Sequence, residues 1–440
     1  MQEKKPLVSK KYLLSFILIT SLFALWGFAN DVTNPMVAAF QTVMELSAAK
    51  ASLIQFAFYG GYATMAVPAA LFIRKYSYKS GILLGLGLYA AGAFLVIPAA
   101  SYQSFAFFCI SLYILTFGLA FLETTANPFI LSLGSKETST RRLNMAQAFN
   151  PVGSLMGMAV ASFLVLPNLI SDRRDAAGEV IFHSLPEAEK ADILVHDLAV
   201  IRDPYVVIGL VVLCVFVIIA LTKMPMVRED EKVEENVHTV KQTLSNLWGN
   251  VIYREGVFSQ MCYVGAQIMV WTFIIQYGTR IFMEQGMDER SAEVLSQQYN
   301  IIAMVIFCCS RFICTFILRY LNAGMLLGIL AVAACIFTCG VIFLQDIWGM
   351  YCLVAVSACM SLMFPTIYGI ALEGMGDDAK FGAAGLIMAI LGGSILPPLQ
   401  ASIIDMGIVA NMPAVNVSFV LPLICFIVIT IYGYRSFKRR

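Results

Sequence analysis

Long apolar stretches separated by short polar ones recur along the whole chain. Each apolar stretch is about 20 to 30 residues long, and roughly 20 helical residues cross a hydrocarbon core of about 30 Å. The pattern therefore predicts twelve transmembrane helices and an all-α membrane protein. The expected spans are 12–40, 48–73, 81–100, 104–133, 142–166, 203–223, 256–283, 292–319, 323–344, 347–373, 379–404 and 413–434.

A charged segment divides the twelve spans into two sets of six. We expect an N-terminal six-helix bundle over 1–223, a charged cytoplasmic linker over 224–255 and a C-terminal six-helix bundle over 256–440. Four apolar linker residues recur at helical spacing, which predicts that part of the linker lies as a helix on the membrane surface. These residues are Val240, Leu244, Leu247 and Val251.

The basic residues predict how the chain is oriented. Loops on the cytoplasmic side of membrane proteins carry an excess of Lys and Arg. With an even number of spans, four basic clusters fall on one side, which makes both termini cytoplasmic in a multi-pass protein of the cell (inner) membrane. The clusters are Lys4 to Lys11, Arg74 to Lys79, Lys136 to Arg142 and Arg435 to Arg440.

Composition agrees with a membrane protein and narrows the function. Hydrophobic residues make up 59% of the chain and charged residues 13%, and the mean hydropathy is +0.79. A soluble domain carries about 25% charged residues. The net charge of +1 gives no indication of a nucleic-acid partner, and all eleven cysteines fall in apolar spans, where we expect free thiols instead of disulfides or metal ligands.

The chain lacks the motifs of the common energy-coupled and hydrolytic sites. It has no GxxxxGK[ST] loop for ATP, no HExxH helix and no GxSxG elbow. We therefore expect no enzyme, no cofactor and no metal site. If the protein performs uphill transport, its energy comes from an ion gradient.

Glu123 is the polar residue in the spans that most needs an explanation. It lies in the apolar fourth span, within the sequence Phe121 to Pro128. A carboxylate at bilayer depth costs roughly 2.5 to 3.5 kcal/mol on insertion scales, so such residues face a protein interior or an aqueous cavity. Since burial disfavours the charged form of a carboxyl group, Glu123 is a candidate proton site.

The first span supplies a second candidate carboxylate. Asp31 and Asn34 are three residues apart and share a helix face, with Asn30 beside them and Trp26 about one turn away. The alternative is a helix end wetted at the interface. The apolar run continues after Asn34, which favours a position inside the span.

The fifth span contains two primary amides, Gln147 and Asn150, again three residues apart. Amides donate and accept hydrogen bonds at once, as the vicinal hydroxyls of a sugar require, but they also join helices. Together with the carboxylates and Trp26 they favour a ligand site. In the same span, Gly153 and Gly157 form a small-xxx-small pattern that more often marks close helices than chemistry.

The second half contributes an aromatic and amide stripe. Tyr263, Gln267 and Trp271 occur at four-residue spacing in the seventh span, which predicts a cavity wall; an interface belt or packing seam is the alternative. Arg311 in the eighth span is costly unless it snorkels. We predict a structural or gating role for it near the cytoplasmic side.

Several of these stretches together resemble the L-fucose:proton symporter family of the major facilitator superfamily. They are Leu25-Trp26, Ser77 to Gly81, Leu122 to Phe129, Arg142 to Gln147, Cys262 to Gln267 and Phe364 to Ile367. The resemblance covers nearly the whole chain. It implies the major facilitator fold, alternating access, and proton-coupled uptake of L-fucose or a related hexose.

The resemblance also implies roles for individual residues. Glu123 corresponds to the family's helix-four carboxylate, Gln147 and Asn150 to its sugar-binding amides, and Trp26 to its helix-one aromatic residue. Asn34 stands where the better-known fucose members carry an aspartate, so Asp31, one turn earlier, is the expected second proton-coupling residue. Phe364 stands where those members have a tyrosine. The full expected substrate-binding set is Trp26, Asn30, Asn34, Gln147, Asn150, Tyr263, Gln267 and Phe364.

The expected partners are a monosaccharide, a proton and the lipid bilayer, with no nucleic acid and no need for more than a monomer. A glucose or galactose:proton symporter of the same family is the alternative function. A membrane sugar sensor belongs to a different class and would need a soluble signalling domain, for which the sequence offers no candidate.

Overall fold

The structure, a computed structural model, describes residues 6–46, 48–171, 173, 181–224, 239–376, 378–409 and 411–439. Seventeen α-helices account for most of these residues. The N-terminal half of the sequence contains α1 Leu13–Val43, α2 Ala48–Lys75, α3 Tyr78–Ser101, α4 Phe105–Ser132, α5 Ser139–Gln147, α6 Asn150–Val160 and α7 Glu187–Leu221. The remainder contains α8 Val240–Gly249, α9 Val251–Glu284, α10 Glu289–Ile317, α11 Ala323–Phe343, α12 Ile347–Met360, α13 Met363–Ala371, α14 Asp378–Met388, α15 Gly392–Ile404, α16 Ala414–Ser418 and α17 Val420–Lys438. Strands β1 Ile408–Val409 and β2 Met412–Pro413 pair antiparallel before α16.

The predicted number of spans is confirmed. In the described part of the chain, eleven helical segments are long and apolar enough to cross a membrane. Helix α2 is a further helix of 28 residues, or about 42 Å at 1.5 Å per residue. The spans therefore number twelve.

Four of the spans are interrupted, and proline explains the breaks in the fifth and the tenth. The fifth span is split between α5 and α6, the tenth between α12 and α13, the eleventh by a 3-10 helix, Ala389–Leu391, and the twelfth between α16 and α17. Pro151 opens α6, and Pro365 lies in the first turn of α13. Proline has no N–H to donate to the carbonyl four residues earlier. The carbonyls of Gln147 and Ser361 therefore lose their helical partners.

The sixth helix begins much earlier than expected. The sequence predicts a span over 203–223 preceded by a loop, whereas α7 starts at Glu187. The prediction placed the loop wrongly because polar residues interrupt the apolar run without ending the helix. Asp197 is one of them: it is fully buried and accepts hydrogen bonds from the backbone N–H groups of Ile170 and Ser171 at 3.0 and 2.8 Å.

Contacts divide the chain into two compact units, each described by itself. The first comprises Lys11–Phe129 and the described part of Phe149–Met226. Within it, α1 and α6 cross closely at Gly153, where an added Cβ would lie 1.8 Å from the Ala24 carbonyl oxygen. Only glycine permits this approach, which agrees with the interpretation of the small-xxx-small pattern.

The second unit comprises the described parts of Met1–Lys10 and Val227–Arg440, together with Ile130–Ala148. Its apolar core is built from α9, α11, α12 and α17. Helix α8 packs on α14, because Thr243 and Asn246 donate hydrogen bonds to the Asp378 carboxylate at 2.8 and 3.0 Å. Part of the predicted linker is thus helical, as expected.

Arg142 is a buried residue and not a surface charge of a loop. Its side chain is inaccessible, and it donates to the carbonyl oxygens of Ile130 at 2.8 Å and Leu131 at 2.6 Å, and to Thr138 Oγ1 at 2.9 Å. Cations at a helix C-terminus are stabilised by the helix dipole. Arg142 therefore caps the end of α4. The eleven cysteines are all free, as predicted.

Candidate functional site

Glu123 lies on the continuous part of α4 with an unsatisfied carboxyl oxygen. Its Oε2 is buried and has no hydrogen-bond partner within the described residues. The neighbouring Thr124 Oγ1 is likewise buried without a partner there, whereas Asn127 donates to the Glu123 backbone oxygen at 3.1 Å. Leaving a buried polar atom unpaired costs about 1 to 3 kcal/mol, and more when the group is charged. The site therefore favours a neutral carboxylic acid or an added partner.

The crossing of α1 and α6 assembles the second carboxylate site. Asp31 is partly buried and accepts hydrogen bonds from the side chains of Ser154 and Asn30. Ser154 follows Gly153, the residue that lets the two helices approach. The sequence prediction that Asn30 lies beside Asp31 is thereby supported by a direct contact.

Trp26 on α1 and Asn150 on α6 lie about one helical turn before Asp31 and Ser154, respectively. Trp26 is 3% exposed, stacks at 4.8 Å from Phe23 in a tilted geometry, and has a buried Nε1 without a partner in the described part of the chain. Asn150 donates through Nδ2 to the Phe23 carbonyl oxygen at 3.3 Å. An unpaired indole N–H next to a partly exposed amide offers a donor and an acceptor for a hydroxylated ligand.

The two candidate carboxylates are not joined directly. Among the described residues no hydrogen bond links Glu123 to Asp31, whose partners are Asn30 and Ser154. The side chain of Asn34 lies outside the described residues, although its backbone belongs to α1.

The stripe on α9 lies against α13 and α12 of the same unit. Tyr263 is fully buried and meets Phe364 edge-on at 6.1 Å, and Trp271 Nε1 donates to Ser357 Oγ at 3.3 Å. Gln267, between them on the stripe, is partly buried. Tyr263 and Phe364, both expected substrate-binding residues, are therefore neighbours, and Trp271 is held by a structural contact.

Gln147 and Asn150 belong to two different helices. The prediction assumed one continuous helix, but the chain breaks at Ala148 and Phe149, so Gln147 ends α5 and Asn150 begins α6. The cause is Pro151, which cannot continue the hydrogen bonding of α5. The face that these two amides are expected to share stays a prediction.

Three polar residues of the described chain were not among the predicted site residues. Asn144 is fully buried and donates through Nδ2 to Thr366 Oγ1 at 3.1 Å. Ser154 holds Asp31, and Gln260 is fully buried on α9 with both amide atoms unpartnered in the described chain. Each lies three or four residues from a predicted site residue on the same helix, which is the signal that could have identified them.

Arg311 is 4% exposed and binds two backbone carbonyls. Its Nε donates to the Ser361 oxygen and its Nη1 to the Gln147 oxygen at 3.1 Å, while the guanidinium lies 4.6 Å above the Phe307 ring. It does not snorkel. No carboxylate pairs with it within the described residues, and no group of metal-ligating side chains occurs there either.

Comparison with known proteins gives consistent matches over nearly the whole chain. The family described as Major Facilitator Superfamily matches residues 14–398. An L-fucose-proton symporter of Haemophilus influenzae is 59% identical over 431 residues, which cover 98% of this chain and 98% of the relative. A glucose/galactose transporter of Brucella abortus is 30% identical over 424 residues, covering 96% and 94% respectively.

A solved structure shares the fold. The crystal structure of a major facilitator superfamily transporter, FucP, in the outward conformation superimposes with a TM-score of 0.86 at 31% sequence identity. The match covers 97% of this chain and 99% of that one.

Proposed function

The chain belongs to the major facilitator superfamily, and on that premise we propose that it is a proton-coupled L-fucose symporter that works by alternating access. It is a multi-pass membrane transporter and not an enzyme. The specific substrate is supported by the 59% identity to a symporter of that name over 98% of both chains. The structural feature that carries the coupling is the buried, unpartnered oxygen of Glu123.

Glu123 is the proposed proton site. A proton on this carboxyl group removes the charge that burial penalises, so the carrier can reorient with the group neutral. Loss of the proton restores a charge that needs water or another donor, which an open cavity supplies. The protonation state of Glu123 thereby decides which step of the cycle is accessible.

Asp31 is the proposed second carboxylate. It accepts hydrogen bonds from Ser154 and Asn30, whereas Glu123 Oε2 has no partner among the described residues. Two carboxyl groups in such different surroundings hold protons with different strength. Asp31 would therefore receive or share the proton that Glu123 gives up, in place of the carboxylate expected at Asn34.

Sugar-binding groups are proposed in each unit, taken by itself. In the first, Trp26 offers an apolar ring face and a free indole N–H, with the amides Asn30 and Asn150 nearby on the same helices. In the second, Gln147, Gln267, Tyr263 and Phe364 are the proposed contacts. Aromatic faces pack on the C–H side of a pyranose while amides bind its hydroxyls.

Position in the cell and assembly state complete the proposal. The distribution of Lys and Arg supports cytoplasmic termini in the cell (inner) membrane. We propose a monomer within the lipid bilayer, since each span finds its place in a single chain.

Uptake of labelled L-fucose into proteoliposomes under an imposed inward proton gradient tests the function. One charge crossing 100 mV is worth about 2.3 kcal/mol, or roughly fiftyfold in accumulation for one proton per sugar. Accumulation that collapses when a protonophore is added is the expected result. Equal uptake with and without the gradient would refute proton coupling.

The Brucella relative, a glucose/galactose transporter, supports a second candidate substrate. Competition separates the two: an excess of unlabelled L-fucose is expected to abolish uptake of label, and an excess of D-glucose or D-galactose to leave most of it. The reverse order of potency would assign the chain to the hexose carriers.

A further inference from the structure

Arg311 binds the two carbonyls that proline has released. Pro151 removes the donor that a helix would offer to the Gln147 oxygen, and Pro365 does the same for the Ser361 oxygen. The Arg311 side chain donates to both oxygens, through Nη1 and Nε respectively. One side chain on α10 thus satisfies the ends of two helices that are interrupted for the same reason.

The two hydrogen bonds differ in what they connect. Arg311, on α10, and Ser361, directly after α12, both belong to the C-terminal half of the sequence, where Ser310 and Ser361 also share a hydrogen bond of 3.0 Å. Gln147 belongs to α5, from the N-terminal half. The bond to Ser361 therefore holds the guanidinium in position, and the bond to Gln147 attaches α5 to it.

Two further contacts join α5 to α13 beside this bond. Asn144 and Thr366 are hydrogen-bonded at 3.1 Å and both fully buried. One turn away, Thr140 packs on Gly369, where an added Cβ would lie 2.9 Å from the Thr140 hydroxyl. We call these two contacts and the Arg311–Gln147 hydrogen bond together the α5 latch. They contain no carboxylate, so each can exchange its partner for water without leaving an unpaired negative charge.

We infer that Arg311 is a gate-positioning residue. Its bond to the Gln147 carbonyl keeps the α5 latch closed until the carrier opens on the membrane face that carries Lys136. This inference rests on the proposed alternating-access function. In the closed state the Gln147 oxygen accepts from Arg311; in the open state it accepts from water, because Pro151 leaves it no helical donor. Arg311 stays bound to Ser361 in both.

Thr140 offers a reporter of latch opening, since it is buried in the contact with Gly369. In a Thr140→Cys variant, modification by a membrane-impermeant maleimide applied to the membrane face that carries Lys136 measures how often the latch opens. Peptide mass spectrometry separates this site from the native cysteines, and a parent without Thr140→Cys is the background. No sugar is needed, so the readout stands whichever sugar is carried.

In the Thr140→Cys background, Arg311→Gln is expected to raise the modification rate about tenfold to a hundredfold, as loss of a hydrogen bond to a charged donor implies. Arg311→Lys retains a cation and should give a smaller increase. Arg290→Gln, which removes an exposed guanidinium from the first turn of the same helix, should leave the rate unchanged. A rate in Arg311→Gln equal to that of the parent would overturn the inference.

Pro151→Ala tests the latch without touching Arg311, should Arg311→Gln fail to fold. The new N–H at position 151 competes for the Gln147 oxygen, so the modification rate should again rise. The double variant Pro151→Ala/Arg311→Gln should be no faster than the faster single variant, because the bond to Gln147 that Pro151→Ala weakens is already absent without Arg311. Rate increases that multiply, or no increase in Pro151→Ala, would show that Arg311 acts elsewhere.

Discussion

Replacing Glu123 by Gln is the most direct test of the proposed proton site. Gln has nearly the shape of a protonated Glu but cannot release a proton. The structure indicates that the change is mild for folding, because the buried Oε2 forms no hydrogen bond with any described residue and so loses none. We expect the stability to change by less than about 1 kcal/mol.

The effect on transport should be large in one assay and small in another. With the parent, a potential of 100 mV supports roughly fiftyfold accumulation at one proton per sugar. Glu123→Gln is expected to reduce this to equilibration, a loss of nearly the whole 2.3 kcal/mol. Exchange of labelled for unlabelled sugar should continue, because it needs no net proton movement.

Both quantities can be measured in one proteoliposome preparation, with Glu189→Gln as a matched control. Glu189 is an exposed carboxylate in the first turn of α7, so its removal should change neither accumulation nor exchange. If Glu123→Gln still accumulated the sugar several tens of times over, the assignment of Glu123 as the proton site would be refuted. Loss of exchange together with accumulation, in folded protein, would instead place Glu123 in sugar binding.

Three further changes test the packing and the second carboxylate. Gly153→Ala pushes α1 and α6 apart, since the new Cβ would lie 1.8 Å from a carbonyl oxygen; it should cost about 1 to 3 kcal/mol in thermal unfolding, whereas Gly249→Ala, with nothing within 4 Å, should not destabilise. Asp378→Ala removes the acceptor that holds α8, so hydrogen exchange in α8 should accelerate while uptake persists. Asp31→Asn should impair accumulation more than exchange; if only Asn34→Asp alters coupling, the role given to Asp31 is wrong.

The spans could be predicted from the sequence because their signal is local. An apolar run of sufficient length is enough to identify a membrane helix, and all twelve were found. The ends of helices are a different matter. Helix α7 begins at Glu187, sixteen residues before the predicted start at 203. Within this added part, the backbone N–H groups of Ile170 and Ser171 satisfy Asp197, and a hydropathy pattern does not record such partners.

Helix breaks can be predicted from the sequence only in part. Pro151 and Pro365 are visible in the sequence, and the carbonyls they release can be counted from it. The residue that binds those carbonyls cannot, since Arg311 is separated from Gln147 by 164 positions. The same break assigns Gln147 and Asn150 to two different helices.

Charged residues in the spans show most clearly what the sequence leaves undecided. Glu123 and Arg311 are equally anomalous in an apolar segment, and both invite a functional interpretation. Their surroundings separate them: two nitrogens of Arg311 are bound by released carbonyls, whereas Glu123 Oε2 has no donor in the described chain. A satisfied charge can hold a structure together, while an unsatisfied one needs a proton or a ligand to complete it. We therefore propose that Glu123 carries the transported proton and that Arg311 positions the gate.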